Sequence, residues 1–146
     1  MKVEIFSKSE MIFNLEHKFA DIKNAAVIAF YDPDSRFDTP VDYEKTGLRH
    51  ILVPFKDIDA DELPKEIPYN KAFPQAAEVA QFFYDSINLE YAPLICQCEY
   101  GESRSAGCAA AIMQYFDQDA LKIFTDYFYY PNKLIYHNLL EALRHV

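Results

Sequence analysis

A chain of 146 residues has the length of one domain and can bury a core of its own, so residues 1-146 are read as a single unit. A hydrophobic fraction of 51% with only 3 glycines excludes a disordered chain. The net charge of -9 argues against nucleic-acid partners and anionic membranes, both of which demand a basic surface.

The chain opens on Lys2 to Phe6, where Val3 and Ile5 alternate with polar residues as in a strand. Ser7-Lys-Ser-Glu10 fits a capping box, and Met11, Ile12 and Leu15 form the apolar stripe of the helix behind it. No apolar signal segment precedes it, no run reaches membrane-spanning length, and the cysteine count is odd; together these predict a reducing, cytoplasmic setting. Ala25 to Tyr31 is a continuous apolar run of strand length, expected to be buried on both faces and stopped by the turn cluster Asp32-Pro-Asp-Ser35. Arg36 to Thr46 is polar, contains Pro40 and reads as a surface loop at a substrate mouth.

Leu48 to Phe55 is a further strand that leads into the acidic run Lys56-Asp57-Ile-Asp59-Ala-Asp61-Glu62. Leu63 to Phe73, with Pro64 and Pro68, reads as irregular. Pro74 opens a helix whose stripe is Ala76, Val79, Ala80, Phe83 and Ile87 and which ends near Glu90. Asp119 to Tyr129 and Pro131 to Leu143 carry helical stripes, and Phe124, Tyr127, Phe128 and Tyr130 are expected in the core. Strands alternating with helices imply an α/β fold with a mostly parallel, twisted sheet of four or five strands.

One stretch carries chemistry. Pro93 to Cys98 is a short buried strand, the Ala-rich run after Ser105 is a helix, and between them lies Cys98-Glu-Tyr-Gly101-Glu-Ser-Arg104-Ser105. A strand-turn-helix of this kind aims successive backbone N–H groups and the positive end of a helix dipole at one point, which holds an anion. Arg104 adds a planar two-pronged donor for phosphate oxygens, and a cysteine in that setting serves as a thiolate nucleophile. Gly101 is expected where the backbone turns closely around the ligand, with Ser103 and Ser105 placing a hydroxyl near the helix cap. Glu99 and Glu102 are expected to point away from the anion. Cys96, one strand period before Cys98, reads as a core residue that could pair with Cys98 under oxidation, and Cys108 reads as core. The four histidines are dispersed and suggest no metal site.

The Cys98-to-Ser105 stretch resembles the signature of cysteine-based protein tyrosine and dual-specificity phosphatases, with Gln97 where that pattern has histidine and Tyr100 where a small residue is common. Val53-Pro-Phe-Lys-Asp57 resembles the segment bearing their general acid, and Pro131-Asn-Lys-Leu-Ile-Tyr136 is similar to small bacterial members. The resemblance implies Cys98 as nucleophile, Arg104 and the loop Glu99, Tyr100, Gly101, Glu102 and Ser103 as phosphate cradle, Asp57 as general acid, and Ser105 as a hydroxyl on the sulfur. The acidic run itself reads as solvated loop at Asp59, Asp61 and Glu62, with Asp59 and Asp61 left open as alternatives to Asp57 for the acid; the mechanism requires no cofactor, and the resemblance implies a phosphorylated protein or small phosphomonoester as substrate. A catalytically weak phosphate-binding module, and a sulfur-transfer or arsenate-reducing enzyme, are the two alternatives. The oligomeric state and the identity of the phosphate carrier stay open.

Overall fold

The computed structural model describes residues 1–116 and 118–146. Four strands, β1 (Val3–Phe6), β2 (Ala26–Tyr31), β3 (Arg49–Pro54) and β4 (Leu94–Gln97), form one sheet in the order β1-β4-β2-β3. Every pairing is parallel, with Ile5 opposite Cys96 and Ile28 opposite both Cys96 and Ile51. The helices are α1 (Lys8–His17), α2 (Phe19–Ile22), α3 (Ala76–Asn88), α4 (Arg104–Tyr115), α5 (Leu121–Thr125) and α6 (Lys133–Leu143). No helix among the described residues is long and apolar enough to cross a membrane.

The apolar run of β2 is buried on both faces because it lies inside the sheet. Ala26, Ile28 and Phe30 pack into the larger core with α3, α4 and α6, while Val27 and Ala29 face a smaller core holding Met11, Ile22 and Tyr43. The capping box of α1 forms as expected: the Ser7 hydroxyl accepts from the Glu10 amide at 3.0 Å, and the Ser7 amide donates to the Glu10 carboxylate at 2.9 Å. Of its stripe, Met11 is buried but Ile12 faces outward. Helix α3 buries Ala76, Val79, Ala80 and Phe83. It begins at Ala76 with Gln75 as its cap, so Pro74 precedes the helix instead of occupying its first turn.

The segment after α4 departs most from expectation. Helix α5 spans only five residues, because the Asp126 carboxylate accepts from the Phe128 amide at 3.0 Å and takes the backbone out of the helix. Phe124, Tyr127, Phe128 and Tyr130 consequently lie at the surface and not in the core, Tyr127 at 96% exposure.

Helices α4 and α6 meet closely because position 107 is glycine. A Cβ on Gly107 would collide with the backbone of Asn132, the N-cap of α6. That contact delivers Asn132 to the carboxyl end of the sheet, where the site is built.

Candidate active site

Strand β4 lies between β1 and β2, so the loop leaving its carboxyl end, residues 98–103, emerges at the middle of the sheet and turns directly into α4. The loop is fastened from outside through its carbonyl groups. The Lys8 amide donates to the Glu99 carbonyl at 3.1 Å, the Tyr130 amide to that of Glu102 at 2.7 Å, and the amides of Gly107 and Asn132 to that of Ser103 at 2.8 and 3.0 Å. The Cys98 amide donates to the Phe6 carbonyl at 3.3 Å. In contrast, among the described residues the amides of residues 99–104 donate to no protein acceptor. Backbone N–H groups are obligatory donors, so carbonyls bound outward and amides left over are the marks of an anion nest.

Gly101 has φ +68°, in the left-handed region. The space its missing Cβ would fill belongs to the backbone of Phe6 and Ser7, the Ser7 amide nitrogen being 2.8 Å from the Cβ position. The glycine therefore seats the loop on the β1–α1 junction, where a ligand contact had been expected.

Cys98 is buried, with its Sγ 3.0 Å from the Ser105 Oγ and 3.5 Å from the Ser105 amide nitrogen. The neighbouring thiols form a separate contact. Cys96 and Cys108 Sγ lie 3.6 Å apart in the core, so the partner of Cys96 is Cys108 and not Cys98. Burial, followed by the neighbouring Cys96 and Cys98, pushes the Cys108 thiol well up, as suits an inert core residue.

Arg104 begins α4 at 3% exposure. Its Nη1 donates to the Phe55 carbonyl at 3.0 Å and its Nη2 to Asp38 Oδ2 at 2.6 Å. Its Nε is buried and has no hydrogen-bond partner among the described residues.

Asp57, on the loop after β3, is tied to the loop of residues 98–103 from the opposite wall. Its Oδ1 accepts from the Ser103 hydroxyl at 2.7 Å and from Asn132 Nδ2 at 3.0 Å. Ser103 thus stands at the N-cap of α4 without capping it; its hydroxyl serves the acid instead. Asn132 also donates to the Ile58 carbonyl at 3.0 Å, and its Oδ1 caps α6 by accepting from the Ile135 amide. Asp59 stands at the N-cap of a 3₁₀ turn over Ala60–Glu62, where its amide donates to the Glu62 carboxylate at 2.9 Å. Asp59, Asp61 and Glu62 are all exposed.

Behind the loop, the phenol of Tyr43 donates to Gln97 Oε1 at 2.6 Å, and Gln97 Nε2 donates to the Cys98 carbonyl at 3.0 Å. Burial pushes the Tyr43 phenol far up, so it remains a donor across the physiological range. Gln97 therefore fixes the orientation of the Cys98 peptide with a group that does not titrate. Glu102 is half-buried, and Glu99 has one carboxylate oxygen buried without a hydrogen-bond partner among the described residues, so Glu99 is turned partly inward, against expectation.

Sequence reasoning brought out Cys98, Arg104, Ser105 and Asp57, which the fold gathers around one loop. It missed Asp38, Tyr43 and the side-chain role of Asn132. Asp38 and Tyr43 lie in the polar stretch read as a surface loop; it holds two aromatic residues, Phe37 and Tyr43, and nothing in the sequence marks Tyr43 as the buried one.

No protein-family model matches the sequence, and no curated protein matches it. Solved structures do. The chain is similar to Tk-PTP in its active form, with a TM-score of 0.61 and 14% identity over 99% of this chain and 91% of that one. It is similar to PTPMT1 in complex with PI(5)P, with a TM-score of 0.58 and 15% identity over 99% and 91%. Human DUSP28 matches with a TM-score of 0.54 and 18% identity over 98% and 92%. The chain has the fold of the protein tyrosine and dual-specificity phosphatases.

Proposed function

We propose that this protein hydrolyses phosphomonoesters through a cysteinyl-phosphate intermediate formed on Cys98. The observation that carries the reading is the set of unused donors in the loop that follows Cys98: among the described residues, the amides of residues 99–104 and the buried Nε of Arg104 have no protein acceptor. A tetrahedral dianion supplies the oxygens they lack, and a helix N-terminus adds favourable potential.

In the first step the Cys98 thiolate attacks phosphorus in line, forming the S–P bond as the P–O bond to the leaving group breaks. The loop amides and Arg104 hold the non-bridging oxygens. Asp57 gives its proton to the departing oxygen; with Oδ1 held by Ser103 and Asn132, Oδ2 is the oxygen left to carry that proton. In the second step Asp57, now ionised, takes a proton from water as the water attacks phosphorus, and the Ser105 hydroxyl stabilises the departing thiolate. The nucleophile, the acid and the donors in this scheme all come from the chain.

The substrates that fit this reading are phosphotyrosine or phosphoserine/threonine in proteins. Because PTPMT1 was solved with a phosphoinositide, the substrate panel includes a phosphoinositide beside phosphopeptides. Turnover of an aryl phosphate should be abolished by both Cys98→Ser and Arg104→Lys. Serine keeps the cradle and its orthovanadate affinity, whereas lysine loses the two-pronged contact and with it the affinity. An aryl phosphate turned over at the same rate by the Cys98→Ser protein would refute the assignment. Activity that required Cys96 or Cys108 would favour sulfur transfer or arsenate reduction.

A further inference from the structure

Phe124 and Tyr130, which the sequence predicts for the core, stand instead in a cleft beside the anion nest. The cleft, of about 660 Å³, is lined by Phe124, Tyr129, Tyr130 and Lys133 from the segment around α5 and α6, and by Asp59 and Asp61 from the loop after β3. Both segments are fastened to the loop that follows Cys98. The Tyr130 amide donates to the Glu102 carbonyl at 2.7 Å and the Asn132 amide to that of Ser103 at 3.0 Å, while Asp57 accepts from the Ser103 hydroxyl at 2.7 Å. Two residues span at most about 7 Å, so Asp59 lies within that distance of the proposed acid and the cleft is continuous with the phosphate site.

The lining is open to solvent and chemically biased. Tyr130 is 70% exposed and Phe124 37%. Asp59, Asp61 and Glu62 are exposed, with carboxylate oxygens within 4.8 Å of one another. Among the described residues none of the three pairs with a basic side chain, and Lys133, also exposed, pairs with no carboxylate. A cation placed among these carboxylates relieves their mutual repulsion, and a flat cation stacks on an open aromatic ring. The guanidinium of an arginine meets both demands at once, because its plane stacks while its edge donates to carboxylates. A phosphorylated lipid headgroup meets neither, since it brings more negative charge to the aspartates.

We propose that this cleft is a specificity site for phosphorylated protein segments: with the phosphorylated residue in the nest, an arginine one to three positions away lays its guanidinium against Tyr130 and Phe124 and pairs with Asp59 and Asp61. An extended segment advances about 3.3 Å per residue, so three positions cover about 10 Å, the scale of the cleft and its approach. The proposal rests on the phosphatase reading for its anchor, the phosphoryl group in the nest, and names the substrate class of that site.

The test uses the full chain and two series of synthetic nonapeptides, one centred on phosphotyrosine and one on phosphothreonine. In each, a single arginine is walked through the three positions on either side in an alanine and glycine background. Phosphate release gives kcat/KM, and anisotropy of fluorescein-labelled peptides on the Cys98→Ser protein, which keeps the cradle, gives affinity without turnover. An exposed ion pair and a cation–π contact each contribute a factor of about two to five, so arginine at the preferred position should raise both quantities about tenfold over alanine. Glutamate there should fall below alanine. Asp59→Asn/Asp61→Asn should lower the arginine-to-alanine ratio about threefold, and adding Tyr130→Ala, which keeps the backbone amide, should bring it close to one. Glu78→Gln/Asp85→Asn, the same charge change on α3, which lines no part of the cleft, should leave the ratio standing. Turnover without an arginine preference at any position, or a preference undiminished by Asp59→Asn/Asp61→Asn, overturns the proposal and leaves the phosphatase reading intact. So does a phosphatidylinositol phosphate in phosphatidylcholine vesicles that is hydrolysed faster than every peptide. Arginine-dependent binding that Asp59→Asn/Asp61→Asn weakens, in a chain whose wild type hydrolyses none of these compounds, overturns the phosphatase reading and leaves the cleft assignment standing.

Discussion

Asn132 holds three groups at once, and replacing it separates what it does for stability from what it does for the proposed acid. Its Oδ1 caps α6, its Nδ2 serves both Asp57 and the Ile58 carbonyl, and it is 3% exposed. Asn132→Ala loses a cap worth about 1 kcal/mol and leaves the Ile58 carbonyl unsatisfied at a further cost of about 1 kcal/mol. An unfolding entropy near 2.1 cal/mol/K per residue comes to about 0.3 kcal/mol/K for 146 residues. The loss of about 2 kcal/mol therefore lowers Tm by roughly 6 °C. Asn132→Asp keeps the capping oxygen but sets a second carboxylate where the amide donor lay 3.0 Å from Asp57 Oδ1. Like charges at that distance repel, so Asp57 is driven from its place beside Ser103. The assay is kcat/KM across a series of phosphate esters of rising leaving-group pKa, with Asp57→Asn as reference. For poor leaving groups Asn132→Asp should lose about a hundredfold, as should Asp57→Asn. The loss should shrink toward nothing as the leaving group becomes acidic enough to depart unprotonated. A uniform loss across the series would show that Asn132 does not act through Asp57.

Two further substitutions probe the supports of the Cys98–Ser105 loop. Tyr43→Phe removes the donor to Gln97 and leaves a buried amide oxygen unsatisfied, so denaturant unfolding should show a loss of about 1–3 kcal/mol, and kcat should fall because the Cys98 peptide is no longer fixed. Unchanged kcat would make Tyr43 a packing residue only. Gly107→Ala places a Cβ against the Asn132 backbone and should therefore reproduce the leaving-group dependence of Asn132→Asp although residue 107 touches neither Asp57 nor substrate. A loss of stability with a flat leaving-group series would break that link.

The parts of the fold legible in the sequence are those whose signal is local. The run Ala25–Tyr31 announces a strand buried on both sides, Ser7 and Glu10 announce a helix start, and the Cys98–Ser105 loop carries its cysteine, glycine and arginine at short, fixed offsets. What was not legible is held by pairs distant in sequence. Asp38 meets Arg104 across 66 positions, Tyr43 meets Gln97 across 54, and Asn132 meets Asp57 across 75. No periodicity encodes such pairs. Helix α5 failed for a different reason: a helical stripe was present, but the Asp126 side chain offered the backbone a competing hydrogen bond, and that local competition decided the outcome. Ser103 shows the same kind of choice, a residue in capping position whose hydroxyl went to a carboxylate instead.

The seating of the loop on residues 6–8 makes the edge of the sheet part of the site. Strand β1 is an outer strand, paired on one side only, and the junction that follows it supplies the acceptor for the Cys98 amide, the donor for the Glu99 carbonyl and the floor beneath Gly101. Fraying of an edge strand is among the cheapest openings available to a folded domain. Here it would unfasten the segment that follows Cys98, because the hydrogen bonds of the Lys8 and Cys98 amides join the two, so those two amide hydrogens are expected to exchange together.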